Sequence, residues 1–517
     1  MAIRTTVWLQ WALSAGLLAV LVWPALYNGQ PIFFPDTTAY IRGADAGMQA
    51  AFGRRTAWSL SGEDAIVKPP PPAGAEVPAV ASPGASGAPG ASGAAPPAAP
   101  PSSLSSIKDK TILSGRSPYY GALLYLGDLT GGFWVSIAVQ ALAVLAALSF
   151  TLRILGLGTR PAVLAAIGGV ALLTPLPFFV SFLMPDVFAG IVILTAAALL
   201  AACGPLTWPV CLTGFALLSV SVIVHDTHAL VVGAVLALAA ACNLIARRWP
   251  NWQGMAVIGL AIVMAFLAQA MFSTVVRRVV GAPPLRPPFL MARMIEDGPG
   301  YRYLRTTCPA NGLTVCQFLD RLPHPAYVFL WERGPDGVFA NAPPEQRRQL
   351  SAEELRFVLA VLAHDPWGEL LVSLRSVGTL LTTLRLDEFQ YYPEYKETFA
   401  VKVPPEHFQR MQATAAYRGT MPIRVFAALS LATLLIGASA IAVALAWRRT
   451  RTALDPAVVR LTAWIVAGTL VNAAICGVVS GAYPRLGVRT AWLIPFAALL
   501  IALALLTPPK RSTARLC

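Results

Sequence analysis

Four short stretches of the chain carry residues able to do chemistry: "FFPDTTAY" with Asp36 and Tyr40, "FLMPDVFAG" with Asp186, "VHDTH" with His225, Asp226 and His228, and "AYPRLGVRTAW" with Arg485 and Arg489. Arg42 and Asp45 follow closely on the first of them. A carboxylate at a lipid–water boundary can take the proton of an incoming hydroxyl as a general base. Arginines beside it can hold a phosphate or pyrophosphate leaving group with forked hydrogen bonds. On that chemistry Asp36 and Asp186 are the catalytic candidates. Tyr40, Arg42, His225, Asp226, His228, Arg485 and Arg489 are the substrate-binding ones. The His-Asp-His turn also has the donor types of a metal site, which makes a divalent metal ion the one cofactor to consider. Turn hydrogen bonding and substrate orientation would use the same three residues. A carboxylate ahead of a helix can equally serve as a favourable charge at the helix N-terminus, a reading that weighs more on Asp186 than on Asp36.

The elements that must position these groups follow from composition. The chain has 517 residues, of which 56% are hydrophobic and 12% charged, about half the charged share of a soluble domain. It therefore reads as an all-α polytopic membrane protein. Its formal charge of +14 is evidence of topology, and no nucleic-acid partner is expected. Ten segments approach the ~20 apolar residues that cross a bilayer: 7–27, 133–152, 161–180, 187–203, 208–224, 229–245, 254–274, 423–446, 458–479 and 490–507. No A-x-A cleavage site follows the first, so it is expected to stay in the protein. Arg4, the pairs Arg153 and Arg160, Arg247 and Arg248, the run Arg448, Arg449 and Arg451, and the tail residues Lys510, Arg511 and Arg515 fall in segments that alternation of the spans puts on one side, consistent with positive-inside placement. Both termini, including the 508–517 tail, are then cytoplasmic, and the protein sits in a bacterial inner membrane. All four chemical stretches come out on the opposite, periplasmic face.

Two long segments also lie on that face. The first, 28–132, contains a Pro/Ala/Gly/Ser tract over 68–104 that has nothing to bury and is expected to be disordered. The second, 275–422, is long enough for a periplasmic α-rich domain. Within it Ser351 and Glu354 have capping-box spacing, which predicts a helix start. Pro366 predicts a break into two amphipathic helices at the membrane surface, with a re-entrant pair as the competing arrangement. Cys308 and Cys316 are the only cysteines sharing an outer segment and are expected to pair in an oxidising compartment. Arg277, Arg278, Arg286, Arg293, Arg302 and Arg305 crowd the start of this segment, either to meet phosphates or an anionic glycan or as a solvated surface balanced by Glu296 and Asp297. Tyr391, Tyr392 and Tyr395 would stack on sugars or lie in an aromatic belt. His324 and His407 belong to no constellation.

This layout resembles the GT-C superfamily of integral membrane glycosyltransferases, which use lipid-linked sugar donors. "FFPDTTAY" matches the acidic residue that such enzymes carry soon after the first span, which gives Asp36 the catalytic role. Asp186 falls where many have a second acid, and "YPRLGVRTAWLIPF" is similar in position to an Arg-containing motif that binds donor phosphate. "HDPWGELL" resembles the amphipathic segment of the bacterial members. No D-x-D is present, the first loop carries an insert, and Asp36 has no adjacent Glu. The resemblance implies a polyprenyl-phosphate-linked sugar as donor and a periplasmic glycan, lipid or protein as acceptor, with the bilayer itself as a partner. A polysaccharide polymerase or ligase would use the same parts. A lipid flippase is the alternative from another class, and a non-enzymatic scaffold a third. Carriers coupled to ions place charge near the bilayer midplane, where this chain offers little beyond Gln140 and Asn472.

Overall fold

A computed structural model describes residues 2–54, 56–60, 105, 110–158, 160–246 and 251–506. The 68–104 insert, Arg247, Arg248 and the 508–517 tail lie outside the described residues. Among the described residues every regular element is a helix, with two isolated bridges in place of any named strand.

Among the described residues six helices are long and apolar enough to cross a membrane: Phe133–Ile154, Asp226–Ala246, Trp252–Val280, Ile423–Ala446, Pro456–Val479 and the nearly continuous Pro484–Leu506. The other apolar runs form shorter helices, Leu13–Asn28, Pro161–Leu172, Val187–Ala201 and Trp208–Ile223. The expected 161–180 span is broken: its helix ends at Leu172 and a five-residue helix resumes at Leu176. Pro175 closes the break and Pro177 sits in the first turn of the next helix, and neither can donate the backbone hydrogen bond that would carry a helix through. The 252–280 helix runs six residues beyond the expected end and turns at Gly281, which is left-handed (φ 77°) as this kind of helix end requires.

Burial follows the side chains. Every residue of the 187–201 helix, "VFAGIVILTAAALLA", is buried, as expected of a helix that is apolar all round. It packs against the 133–154, 208–223, 226–246 and 456–479 helices and forms the axis of the bundle. The 252–280 helix instead exposes Leu260, Phe266, Leu267 and Met271, a face suited to lipid and costly in water.

The segment 275–422 divides in two. Residues 285–361 build their own core around Met291, Ile295, Leu304, Phe329, Phe339, Leu350, Phe357 and Val361. Cys308 and Cys316, joined as a disulfide, pack on its edge. Residues 386–421 belong to the main core, with Phe389 set against Phe178, Phe179 and Phe182. The helix expected to start near Ser351 begins at Pro344 instead. Proline at N1 and a run of good helix formers extend it toward the N-terminus, and the Ser351 hydroxyl is spent on the Arg286 carbonyl. This helix ends at His364. Asp365 caps the next, Pro366–Thr382, by accepting from the Gly368 amide at 2.8 Å, and the two meet at 106°.

Candidate active site

Two proline–aspartate loops run side by side and set up the site. The Ile32 amide donates to the Ser181 carbonyl and the Leu183 amide to the Ile32 carbonyl, both at 2.9 Å, forming a parallel bridge between Ile32 and Phe182. Four residues beyond the bridge on each segment stands an aspartate preceded by proline, Asp36 on one and Asp186 on the other. The Thr37 hydroxyl donates to the Leu183 carbonyl at 3.0 Å and ties the segments again. Each aspartate then starts a helix. Pro35 and Asp36 lie in the first turn of Pro35–Phe52, while Asp186 immediately precedes the axial helix. Gln140, one of the few polar residues inside the apolar helices, holds the second loop by donating to the carbonyls of Val180 and Phe182 at 2.8 and 3.0 Å. Its own carbonyl accepts from the Tyr120 hydroxyl at 2.8 Å.

The arginines enter on the Pro484–Ala491 helix. Arg489 is fully buried, 0% exposed, with NH1 at 3.3 Å from Asp186 Oδ1. Its NH2 donates to Asn472 Oδ1 at 3.1 Å and reaches Cys476 Sγ and Thr227 Oγ1 at 3.2 and 3.5 Å. Asn472 in turn donates to the Leu486 carbonyl at 2.7 Å, which fixes the helix that carries both arginines. Arg485, one turn earlier, lies nearer the surface. Its Nε is 3.7 Å from Asp186, its NH1 is 4.0 Å from Glu388, and its guanidinium stands 4.2 Å from the Phe34 ring centroid. Neither Nε nor NH1 makes a hydrogen bond, though both atoms are buried. A guanidinium with donors unused is suited to an incoming anion. Gly487 lets this helix come so close to Pro366–Thr382 that a Cβ there would lie 2.1 Å from the Leu380 carbonyl oxygen.

Asp36 is held by a residue that the sequence did not single out. Arg116, in the loop before Pro118–Gly131, places NH2 2.6 Å from Asp36 Oδ1. The loop is fixed by Ser117, whose hydroxyl donates to the Ile223 carbonyl at 2.7 Å. Burial pushes the Asp36 carboxyl up, but the Arg116 charge and hydrogen bond, followed by Arg485 and Lys402, outweigh it. Asp36 therefore rests below the usual carboxylate value, ionised at neutral pH, with about 29% of its side chain accessible. Glu388 goes the other way: burial raises it beyond what Arg485 and the Tyr395 hydroxyl, donating at 3.2 Å, can offset. Tyr395 packs on Phe34 and Tyr391 accepts the Phe33 amide at 2.8 Å, so two of the three tyrosines line this region. Tyr40 lies one turn after Asp36, buried against Tyr120.

Other candidates fall elsewhere. Arg42 is six residues after Asp36, about 240° round the helix. Asp45 is buried under Thr56 and Ser59, whose hydroxyls donate to it. Asp226 is exposed, so the histidine turn does not converge as a metal site. Its rings instead stack at 5.0 Å, and His228 Nδ1 bonds the Ser221 carbonyl at 2.7 Å. Among the described residues no three His, Cys, Asp or Glu side chains are placed to hold a metal ion. His225 accepts the Thr227 amide at 3.2 Å, and burial, then His228 and Arg489, hold it well below the usual imidazole value and so neutral. The crowd of arginines is not one cluster. Arg293 is buried against Asp297 and Glu369, and Arg302 pairs with Asp365. His407 does have partners, Asp128 at 3.5 Å and the Trp58 ring at 5.4 Å.

Arg116, Glu388 and Tyr395 are the site residues that sequence reasoning missed or left unassigned. Arg116 and Glu388 are lone charges in loops with no motif around them, and only the bundle brings them together. No protein-family profile matches this chain, and neither a curated protein nor a solved structure does.

Proposed function

We propose that this protein is an integral membrane glycosyltransferase of the GT-C type, moving a sugar from a polyprenyl-phosphate carrier to an acceptor hydroxyl at the outer membrane face. The observation that carries the proposal is the meeting of Asp36, Arg116, Asp186, Glu388, Arg485 and Arg489, drawn from five separate parts of the chain, within an apolar bundle. Burying so many charges without a task would cost stability. In this reading ten segments cross or enter a bacterial inner membrane with both termini in the cytoplasm, and 285–361 caps the outer side.

The roles follow from accessibility. Asp36, accessible and ionised, takes the acceptor proton. Arg485 holds the phosphate that leaves the sugar carbon. Asp186 holds Arg485 in place, and Arg489 with Asn472 anchors Asp186 from within. The proton passes from the acceptor oxygen to Asp36 as that oxygen bonds the sugar and the carbon–phosphate-oxygen bond breaks, so polyprenyl phosphate departs as the anion. No metal or other cofactor is needed to write this step.

The test is turnover of purified full-length protein with polyprenyl-phosphate-linked sugars in detergent, followed by release of polyprenyl phosphate. Release together with a glycosylated acceptor supports the proposal. No release with any such donor, combined with lipid translocation in proteoliposomes, overturns it in favour of a flippase.

A further inference from the structure

The Asp36–Arg116 ion pair ties one oxygen of the proposed base, Oδ1, to a guanidinium. Arg116 spends NH2 on Asp36, NH1 on the Gly115 carbonyl at 2.9 Å, and leaves its buried Nε without a partner. Its guanidinium lies 5.8 Å from the Trp331 ring centroid, at the edge of the 285–361 unit. Arg485, also with unused donors, acts on the same carboxylate through its charge. A carboxylate locked on NH2 cannot receive a proton from an acceptor through that oxygen. With NH1 kept on the Gly115 carbonyl, Nε and NH2 form one fork, and a phosphoryl group that displaces the carboxylate from NH2 can take both nitrogens of it.

We propose that the Asp36–Arg116 pair is a latch opened by the phosphoryl headgroup of a long-chain lipid, which takes Arg116 between itself and Arg485 and so frees Asp36 to act as base. Donor binding then precedes acceptor activation, and the empty site holds its base paired. This rests on the glycosyltransferase reading for the identity of the base, though the exchange of anions on Arg116 is a binding event that stands without turnover.

A double-variant cycle on the full-length protein in nanodiscs reads it, with polyprenyl monophosphate as the probe and polyprenol and inorganic phosphate as controls. Asp36→Asn removes the internal competitor and tightens polyprenyl phosphate binding about tenfold, the worth of one charge-assisted hydrogen bond. Arg116→Gln weakens it about tenfold or more. Together they bind far closer to Arg116→Gln alone than additive effects allow, because Arg116 is the largest charge partner of Asp36 and Arg485 a smaller one. Arg116→Lys carries the cycle if the glutamine variant does not accumulate, and unfolding temperature confirms that each variant is folded. Additive effects, or an Arg116 variant that binds like wild type, overturn the latch. Equal coupling with inorganic phosphate overturns the lipid-headgroup assignment. A coupled cycle in a protein that transfers no sugar overturns the proposed function and supports the latch, whereas an additive cycle in an active enzyme does the reverse.

Discussion

Asp186→Asn is the perturbation whose consequence can be worked furthest. The substitution keeps size and shape but removes the negative charge that faces Arg489 at 3.3 Å and Arg485 at 3.7 Å. Arg489 is fully buried, so its charge has no water to turn to. Removing one partner of a buried ion pair costs about 3–5 kcal/mol. Asn472 and Thr227 remain as neutral acceptors for Arg489, and Glu388 remains near Arg485, which places the expected loss near the lower end, about 3 kcal/mol. Replacing both partners, as Asp186→Leu with Arg489→Met, removes the desolvation cost along with the attraction and should return to within about 1 kcal/mol of wild type. The assay is denaturant unfolding of the purified protein in mixed micelles, followed by the fluorescence of its 13 tryptophans. An Asp186→Asn protein destabilised by less than about 1 kcal/mol would mean that the pair behaves as a solvated one. A double variant worse than the single would refute the reasoning outright.

Further outcomes follow from the same geometry. Gly487→Ala puts a Cβ against the Leu380 carbonyl, so it should push the arginine helix off its neighbour and lower activity more than expression, read by turnover per folded protein. Because burial raises Glu388, the folded protein holds that proton more tightly than the unfolded chain does. Stability should therefore fall as pH rises from about 4.3 through the raised value, and Glu388→Gln should remove that slope from a melting-temperature–pH curve. Breaking Cys308–Cys316 by serine substitution opens a loop of sequence separation 8, for a loss of about 2–3 kcal/mol confined to the 285–361 core and visible by hydrogen exchange. A cysteine placed at exposed Asp336 should react with an impermeant label from the outer side without permeabilising the inner membrane; labelling only after permeabilisation would invert the topology.

The apolar helices were legible because each is a long run of the same kind of residue. Ile423–Ala446 stands where hydropathy alone places it. The 161–180 run failed for a local reason: averaged hydropathy hides the punctuation of Pro175 and Pro177. Ser351 and Glu354 had the right spacing but the wrong context, since Pro344 had already begun the helix. In the site, Asp36, Asp186 and Arg485 could be read because each lies beside an apolar run on one expected face, while Asp226 shared that position in sequence and is exposed. Arg116 and Glu388 could not be read, because their meaning lies in the distance to Asp36 and Arg485, which neighbours in sequence do not encode. The repeat of proline–aspartate four residues beyond Ile32 and Phe182 was present in the sequence, yet only the parallel bridge gives it meaning.

The most direct measurement is sugar transfer by Asp36→Asn beside Arg485→Ala, each against wild type with the same polyprenyl-phosphate donor. If Asp36 is the base, Asp36→Asn loses about a hundred- to ten-thousandfold in turnover while still binding the donor. If Arg485 holds the phosphate, Arg485→Ala loses donor affinity. Near-normal transfer by a folded Asp36→Asn protein would contradict the central claim.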